Sequence, residues 1–318
     1  MGAHRVARLD RTEMRIPERF AGHSSGFRRQ PLVDGSTGSV HMGFAACELD
    51  GGGRIDPHVQ SYEEAVYVLE GVLDLTINGG TVRLGEQEGG FIPVGVPHSW
   101  RNPEGRRCAW VEMVSPRPRE RGPADAFFLA APLASGEVRK VDARDPRCRL
   151  FFHFEKGQMD LDTARRGSAV EAPTASPSMV TALLVYSGIG IKMLVDQRMD
   201  ANLMTMFMVE YEPGGVAHPH DHPFEEAYLI LEGEVDAWTE GQTYQLRAGD
   251  FFWTGAGTIH AFYNRSRQNV RWLETQAPQP PRNHSYRFTR EWEYLERLLS
   301  SEASPIAVQA ARADAGPE

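Results

Sequence analysis

The sequence predicts an all-β chain made of two tandem β-barrels with a short C-terminal helix, and three observations carry that prediction. The segment EEAVYVLEGVLDLTING, from Glu63, returns as EEAYLILEGEVDAWTEG, from Glu225, 162 positions later. The same offset, without a gap, pairs His58 with His220, Glu64 with Glu226, Gly71 with Gly233, His98 with His260, Asn102 with Asn264, Trp110 with Trp272 and Glu112 with Glu274. One offset held over such a stretch marks two copies of one fold. Both copies are rich in β-branched and aromatic residues, with glycines and short polar turns between the runs, the pattern of short strands in a sandwich or barrel. No glycine-rich phosphate loop follows any of these strands.

Taken in order, residues 1–118 form the first barrel with an N-terminal arm. Residues 119–178 are a linker and inter-barrel segment, with turn-rich stretches such as AAPLASGEV and GSAVEAPTASPS. Within it CRLFFHF reads as a strand, expected either to begin the second barrel or to lie across the first. Residues 179–288 form the second barrel. In 289–318, TREWEYLERLL places Trp292, Leu295, Leu298 and Leu299 at helical spacing behind Thr289 as N-cap, and an Ala-rich tail with Pro and Gly is expected to be disordered.

Composition narrows the function classes. The formal net charge of -9 argues against a nucleic-acid partner, because phosphates attract basic surfaces. The three cysteines, Cys47, Cys108 and Cys148, include no CxxC pair, which points to a reducing compartment without a disulfide framework. The stretch MGAHRVARLDRTEMRIPERF has neither the apolar core nor the cleavage site of a signal peptide, and no run of apolar residues is long enough to span a bilayer. The expectation is a cytoplasmic protein with no membrane partner, a monomer or homodimer.

The chemistry concentrates in the second copy. In GGVAHPHDHPFEEAYLILEG, from Gly214, the residues His220, His222 and Glu226 share one parity, so an extended strand would aim all three at the barrel interior, and a bulge at Pro223 and Phe224 would leave that outcome unchanged. A later stretch, GDFFWTGAGTIHAFYN, returns His260 after a turn with Gly255 and Gly257. Three imidazoles and one carboxylate suit a divalent transition metal such as Fe, Mn, Ni, Cu or Zn. His218 has the same parity but precedes the motif and reads as an entrance residue. Met204, Met206, Met208, Phe251, Trp253 and Phe262 are candidates for an apolar lining, although strand alternation must turn some of them away.

These stretches resemble the two motifs of the cupin family, here Gly214, His220, His222, Glu226 and Gly233, then Gly249, Gly257, His260 and Asn264. Gly255 stands where the family often has proline. The resemblance implies jelly-roll barrels and a metal held by His220, His222, Glu226 and His260. In the first copy His58, Glu64 and His98 are kept, Gln60 replaces the second histidine, and Gln87 stands where the family usually has glycine. Two readings follow for His58, Gln60, Glu64 and His98: a second metal site, or a barrel that supports the other.

Cupin proteins include dioxygenases, decarboxylases, isomerases, hydrolases, storage proteins and sugar-binding regulators, so the fold does not choose among them. The ligand set resembles that of cupin dioxygenases, including two-barrel quercetinase-like enzymes. The expectation is a dioxygenase acting on a small-molecule substrate, with Glu226 as ligand and general base. In size and duplication the chain also resembles the ureidoglycine aminohydrolase family, whose metal-binding residue order differs, and a metal-dependent aminohydrolase or isomerase of that type is the second reading. A non-catalytic small-molecule binder is the third alternative.

Overall fold

Gly51 shows how the first barrel closes. It lies within the long strand Gly43–Gln60, and a Cβ there would stand 2.2 Å from the Gly105 carbonyl oxygen, so only glycine lets the two backbones meet. Before this point the strand pairs with Cys108–Ser115, and beyond it with His98–Arg101, so one strand serves both walls of the barrel. The computed structural model describes residues 3–119, 125–160 and 188–280, with the backbone of 287–288. Among these residues every regular element is a strand or a short 3-10 turn, and no helix is long and apolar enough to cross a membrane. The expected C-terminal helix at 289–299 and the tail lie outside the described residues, as does the linker from 161 to 178.

The second barrel is a jelly roll of two sheets. One has the order His4–Arg8, Asp250–Thr254, Glu225–Glu232, Val270–Ala277, Thr205–Tyr211, Ile189–Val195. The other runs Gln242–Arg247, Glu234–Thr239, His260–Tyr263, Val216–Asp221, Arg287–Phe288. Alternation along the strands sorts the apolar side chains into two sets. Phe207, Tyr228, Phe252, Phe262 and Trp272 pack inside the barrel. Met204, Met206, Met208, Leu229, Phe251 and Trp253 face the other way, into a core shared with the first barrel, where the rings of Phe44 and Phe251 lie 5.0 Å apart. Of the six expected lining residues, only Phe262 therefore lies in the interior core. The other five join the two barrels, because adjacent strand positions point to opposite faces.

The two barrels meet across a pseudo-two-fold contact that repeats the sequence offset. The buried Glu225 carboxylate accepts from the Ser39 hydroxyl (2.6 Å) and from the backbone N–H groups of Val40 and His41 (2.7 and 3.3 Å). Its counterpart Glu63 accepts from the N–H groups of Asn202 and Leu203, at 2.8 and 2.9 Å. Asn202 and Leu203 are the repeat equivalents of Val40 and His41. Bonds of this kind to a charged group are worth ~1.5–3 kcal/mol.

The arms are exchanged. Strand Phe151–His153, from CRLFFHF, pairs antiparallel with Glu88–Ile92 of the first barrel, so this segment lies across the first barrel and does not begin the second. The N-terminal strand His4–Arg8 pairs antiparallel with Asp250–Thr254, the equivalent strand of the second barrel. Each copy thus lends the strand preceding it to the other barrel, and each covers a sheet edge that would otherwise be left open.

Candidate functional site

His220 lies on strand Val216–Asp221, Glu226 on strand Glu225–Glu232, and the chain between them leaves the sheet around His222–Phe224. The bulge expected at Pro223 and Phe224 is a break between two strands. The ladder between Val216–Asp221 and His260–Tyr263 shifts register between Ala217 and His220, which sets His220 opposite His260. The turn with Pro223 then carries His222 back over the site, its ring stacked on Phe224 at 4.1 Å.

The three histidines converge. The ligand atoms of His220, His222 and His260 all lie within 4.8 Å of one another, and all three side chains are buried. Each ring is held from behind by a backbone carbonyl: His220 Nδ1 is 2.6 Å from His218 O, His222 Nδ1 2.8 Å from Phe224 O, and His260 Nδ1 2.9 Å from Thr258 O. A carbonyl behind each Nδ1 fixes the ring and turns its Nε2 toward the cluster, the arrangement that holds metal-binding imidazoles in place. His218 serves the site through its carbonyl.

The mutual group is formed by the three imidazoles, and Glu226 stands beside two of them. Its Oε2 lies 2.6 Å from His222 Nε2 and 3.3 Å from His260 Nε2. Burial opposes ionisation of Glu226, but His222 and His260 outweigh it and hold the carboxyl well below its ordinary range. Burial foremost, then the neighbouring rings of His260 and His222, keeps His220 well below the usual imidazole value and so neutral.

Four polar residues around Glu226 are not marked as site residues by the motifs. Gln276 Nε2 donates to Glu226 Oε1 at 2.7 Å, and its own Oε1 accepts from Thr205 Oγ1 at 3.1 Å. Tyr228 donates its phenol hydrogen to Glu226 Oε2, and the same oxygen is 3.0 Å from His260 Nε2. Glu274 accepts from Trp272 Nε1 at 2.9 Å; burial and then the charge of Glu226 push its carboxyl well above the ordinary value. The first-copy equivalents of Tyr228, Gln276 and Thr205 are Val66, Val114 and Gly43. Position-by-position differences between the copies mark out these three but not Glu274, whose counterpart Glu112 is identical.

The first barrel is assembled differently. His58 and His98 come together, ring centroids 4.1 Å apart, and each Nδ1 meets a backbone carbonyl (Asp56 O at 2.9 Å, Val96 O at 3.0 Å). Gln60 donates its amide to Glu64 Oε2 at 2.9 Å. Burial, then the neighbouring Glu112, raises the Glu64 carboxyl to about 8. Burial and the adjacent His98 lower His58 to about 3, and burial lowers His98 to about 4. Among the described residues, three ligating side chains gather within mutual reach in the second barrel, and the first-barrel set forms no such group.

The motif asparagines and glycines are scaffold. Asn102 Nδ2 donates to Leu49 O and Arg106 O at 3.0 and 2.8 Å, and Asn264 Nδ2 donates to the equivalent Tyr211 O and Gln268 O at the same distances. Gly71 and Gly233 adopt φ of +80° and +76°.

Comparison with known proteins agrees with this architecture. The cupin domain family matches twice, over residues 46–114 and 207–275. Quercetin 2,3-dioxygenase of Bacillus subtilis (strain 168) is 26% identical, over 63% of this chain and 62% of its own length. CurC, a polyketide synthase protein of Streptomyces cyaneus, is 34% identical over 32% of this chain and 67% of its own. Among solved structures, salicylate 1,2-dioxygenase from Pseudoaminobacter salicylatoxidans shares the fold with a TM-score of 0.65 at 13% identity, covering 87% of this chain and 81% of that one. With two matched domains, two barrels and a conserved offset between them, the chain belongs to the cupin family as a two-barrel member, a bicupin.

Proposed function

We infer that this bicupin is a metal-dependent dioxygenase acting on a small oxygenated or aromatic metabolite, with its metal in the second barrel. The observation that carries the reading is the convergence of His220, His222 and His260, their ligand atoms within 4.8 Å of one another. Three imidazole nitrogens with a carboxylate beside them fit Fe, Mn, Ni, Cu or Zn, so His220, His222, His260 and Glu226 would hold the ion. A bound ion of this kind supplies a Lewis acid with open positions for an oxygenated substrate and for O₂.

The remaining work falls to the chain. Gln276 holds Glu226 Oε1 and leaves Oε2 on the side of the imidazoles, where a carboxylate can take the proton of a substrate hydroxyl. Phe207, Phe252, Phe262 and Trp272 keep the interior apolar and exclude water. The names of the two dioxygenases similar to this chain support the reaction class. In the first barrel the Gln60 amide occupies Glu64, which supports a barrel that binds metal weakly or not at all.

The test is oxygen uptake by protein supplied with each candidate metal, against flavonols and hydroxybenzoates. The reading predicts O₂ consumed in proportion to substrate, abolished by a chelator and by His260→Ala. Ammonia released from a ureido substrate without O₂ would instead make the chain an aminohydrolase. Substrate bound with no turnover of either kind would make it a non-catalytic binder.

A further inference from the structure

We propose that Tyr228 is a ligand of the same centre, its phenol oxygen bonding directly to the ion held by His220, His222 and His260. The proposal rests on the metal-centre reading above and adds to it a donor that lies outside the HxH, Glu and His pattern.

Three observations carry it. Tyr228 follows Glu226 by two positions on strand Glu225–Glu232, so both side chains enter the barrel from one face, and the tyrosine is 1% exposed. Its oxygen is 3.0 Å from His260 Nε2 and in hydrogen-bond contact with Glu226 Oε2. Oxygen and nitrogen donors bound at ~2.0–2.2 Å and near right angles around one ion stand roughly 3 Å apart. The Tyr228 oxygen keeps that spacing to His260 Nε2, beside the 3.3 Å from Glu226 Oε2 to His260 Nε2 and the 2.6 Å from Glu226 Oε2 to His222 Nε2.

The direction of approach separates a ligand from a support. A side chain that only orients Glu226 is expected on the far oxygen, as Gln276 is on Oε1. Tyr228 reaches Oε2, the oxygen that faces the imidazoles, and reaches an imidazole nitrogen as well. Its ring is fixed by Phe262 at 4.8 Å and Phe252 at 5.6 Å, so the oxygen is placed before any ion arrives. The first-barrel equivalent is Val66, so the two barrels differ at this donor as well as at Gln60. On coordination the phenol O–H bond breaks, its proton passes first to Glu226 Oε2, the oxygen it already faces, and from there to solvent, and the oxygen–metal bond forms, with no change of oxidation state.

The experiment is spectroscopic and needs no substrate. The full chain is reconstituted with Fe(III) or, separately, Cu(II), and bound metal is counted by elemental analysis. Wild-type protein is expected to show a visible phenolate-to-metal charge-transfer band, and Tyr228→Phe is expected to lose it while still binding the ion. Resonance Raman excited in that band should show tyrosinate ring modes in the wild type, which keeps the test decisive if the variant folds poorly. Bound metal without tyrosinate modes, or a band that persists unchanged in Tyr228→Phe, overturns the proposal and leaves the histidine centre standing. No metal bound by the wild type overturns both.

Discussion

Gln276 holds Glu226 Oε1 at 2.7 Å and is itself held by Thr205, a chain of hydrogen bonds that fixes the carboxylate against the imidazoles. The first barrel has valine at the equivalent position. Replacing Gln276 with valine removes this support without touching a histidine, and outer hydrogen bonds of this type are worth roughly 10- to 100-fold in metal affinity or activity. We predict a loss of that size in a competitive metal titration of Gln276→Val, with unfolding stability close to wild type. The histidines were legible in the sequence because their spacing is a pattern in itself. Tyr228, Gln276 and Thr205 were not, because each is an ordinary strand residue whose role depends on which side chain stands opposite. Only the apolar residues at the matching positions of the other copy mark them out.

At the scale of single elements, the positive φ of Gly233 and a neighbouring carbonyl leave no room for a side chain. A Cβ there would lie 2.5 Å from Asn269 O. Gly233→Ala is predicted to cost ~2 kcal/mol or more in denaturant unfolding, from backbone strain and the displaced loop. The N-terminal strand gives a second prediction. His4–Arg8 pairs with Asp250–Thr254 across five positions, one strand away from Glu226. Deleting residues 1–8 should cost ~2–4 kcal/mol, at about 1 kcal/mol per net backbone hydrogen bond. Hydrogen exchange should then speed up in 250–254 while 88–92 stays protected; unchanged protection in 250–254 would contradict the pairing. Strand existence was legible from composition and glycine punctuation. Strand facing was not: five of six lining candidates pointed to the shared core. Alternation fixes which residues share a face, but only tertiary contacts say which face is inside.

The whole molecule is a duplicated unit folded back on itself, with exchanged arms and a pair of reciprocal carboxylate contacts. Glu63 and Glu225 make the same contact in opposite directions and share no partner. Glu63→Ala and Glu225→Ala should therefore each lower stability by ~1.5–3 kcal/mol, and the double variant should show their sum to within about 0.5 kcal/mol. The duplication itself was legible, because one offset runs through both copies without a gap. The arm exchange was not, because CRLFFHF and HRVAR carry no mark of which barrel they will join.

The asymmetry between otherwise matching barrels is the core of the functional account, and counting bound metal tests it most directly. Elemental analysis of the purified chain should give one transition-metal ion per chain, retained in His98→Ala and lost in His260→Ala. Two ions per chain, or an ion lost with His98 and kept without His260, would contradict it.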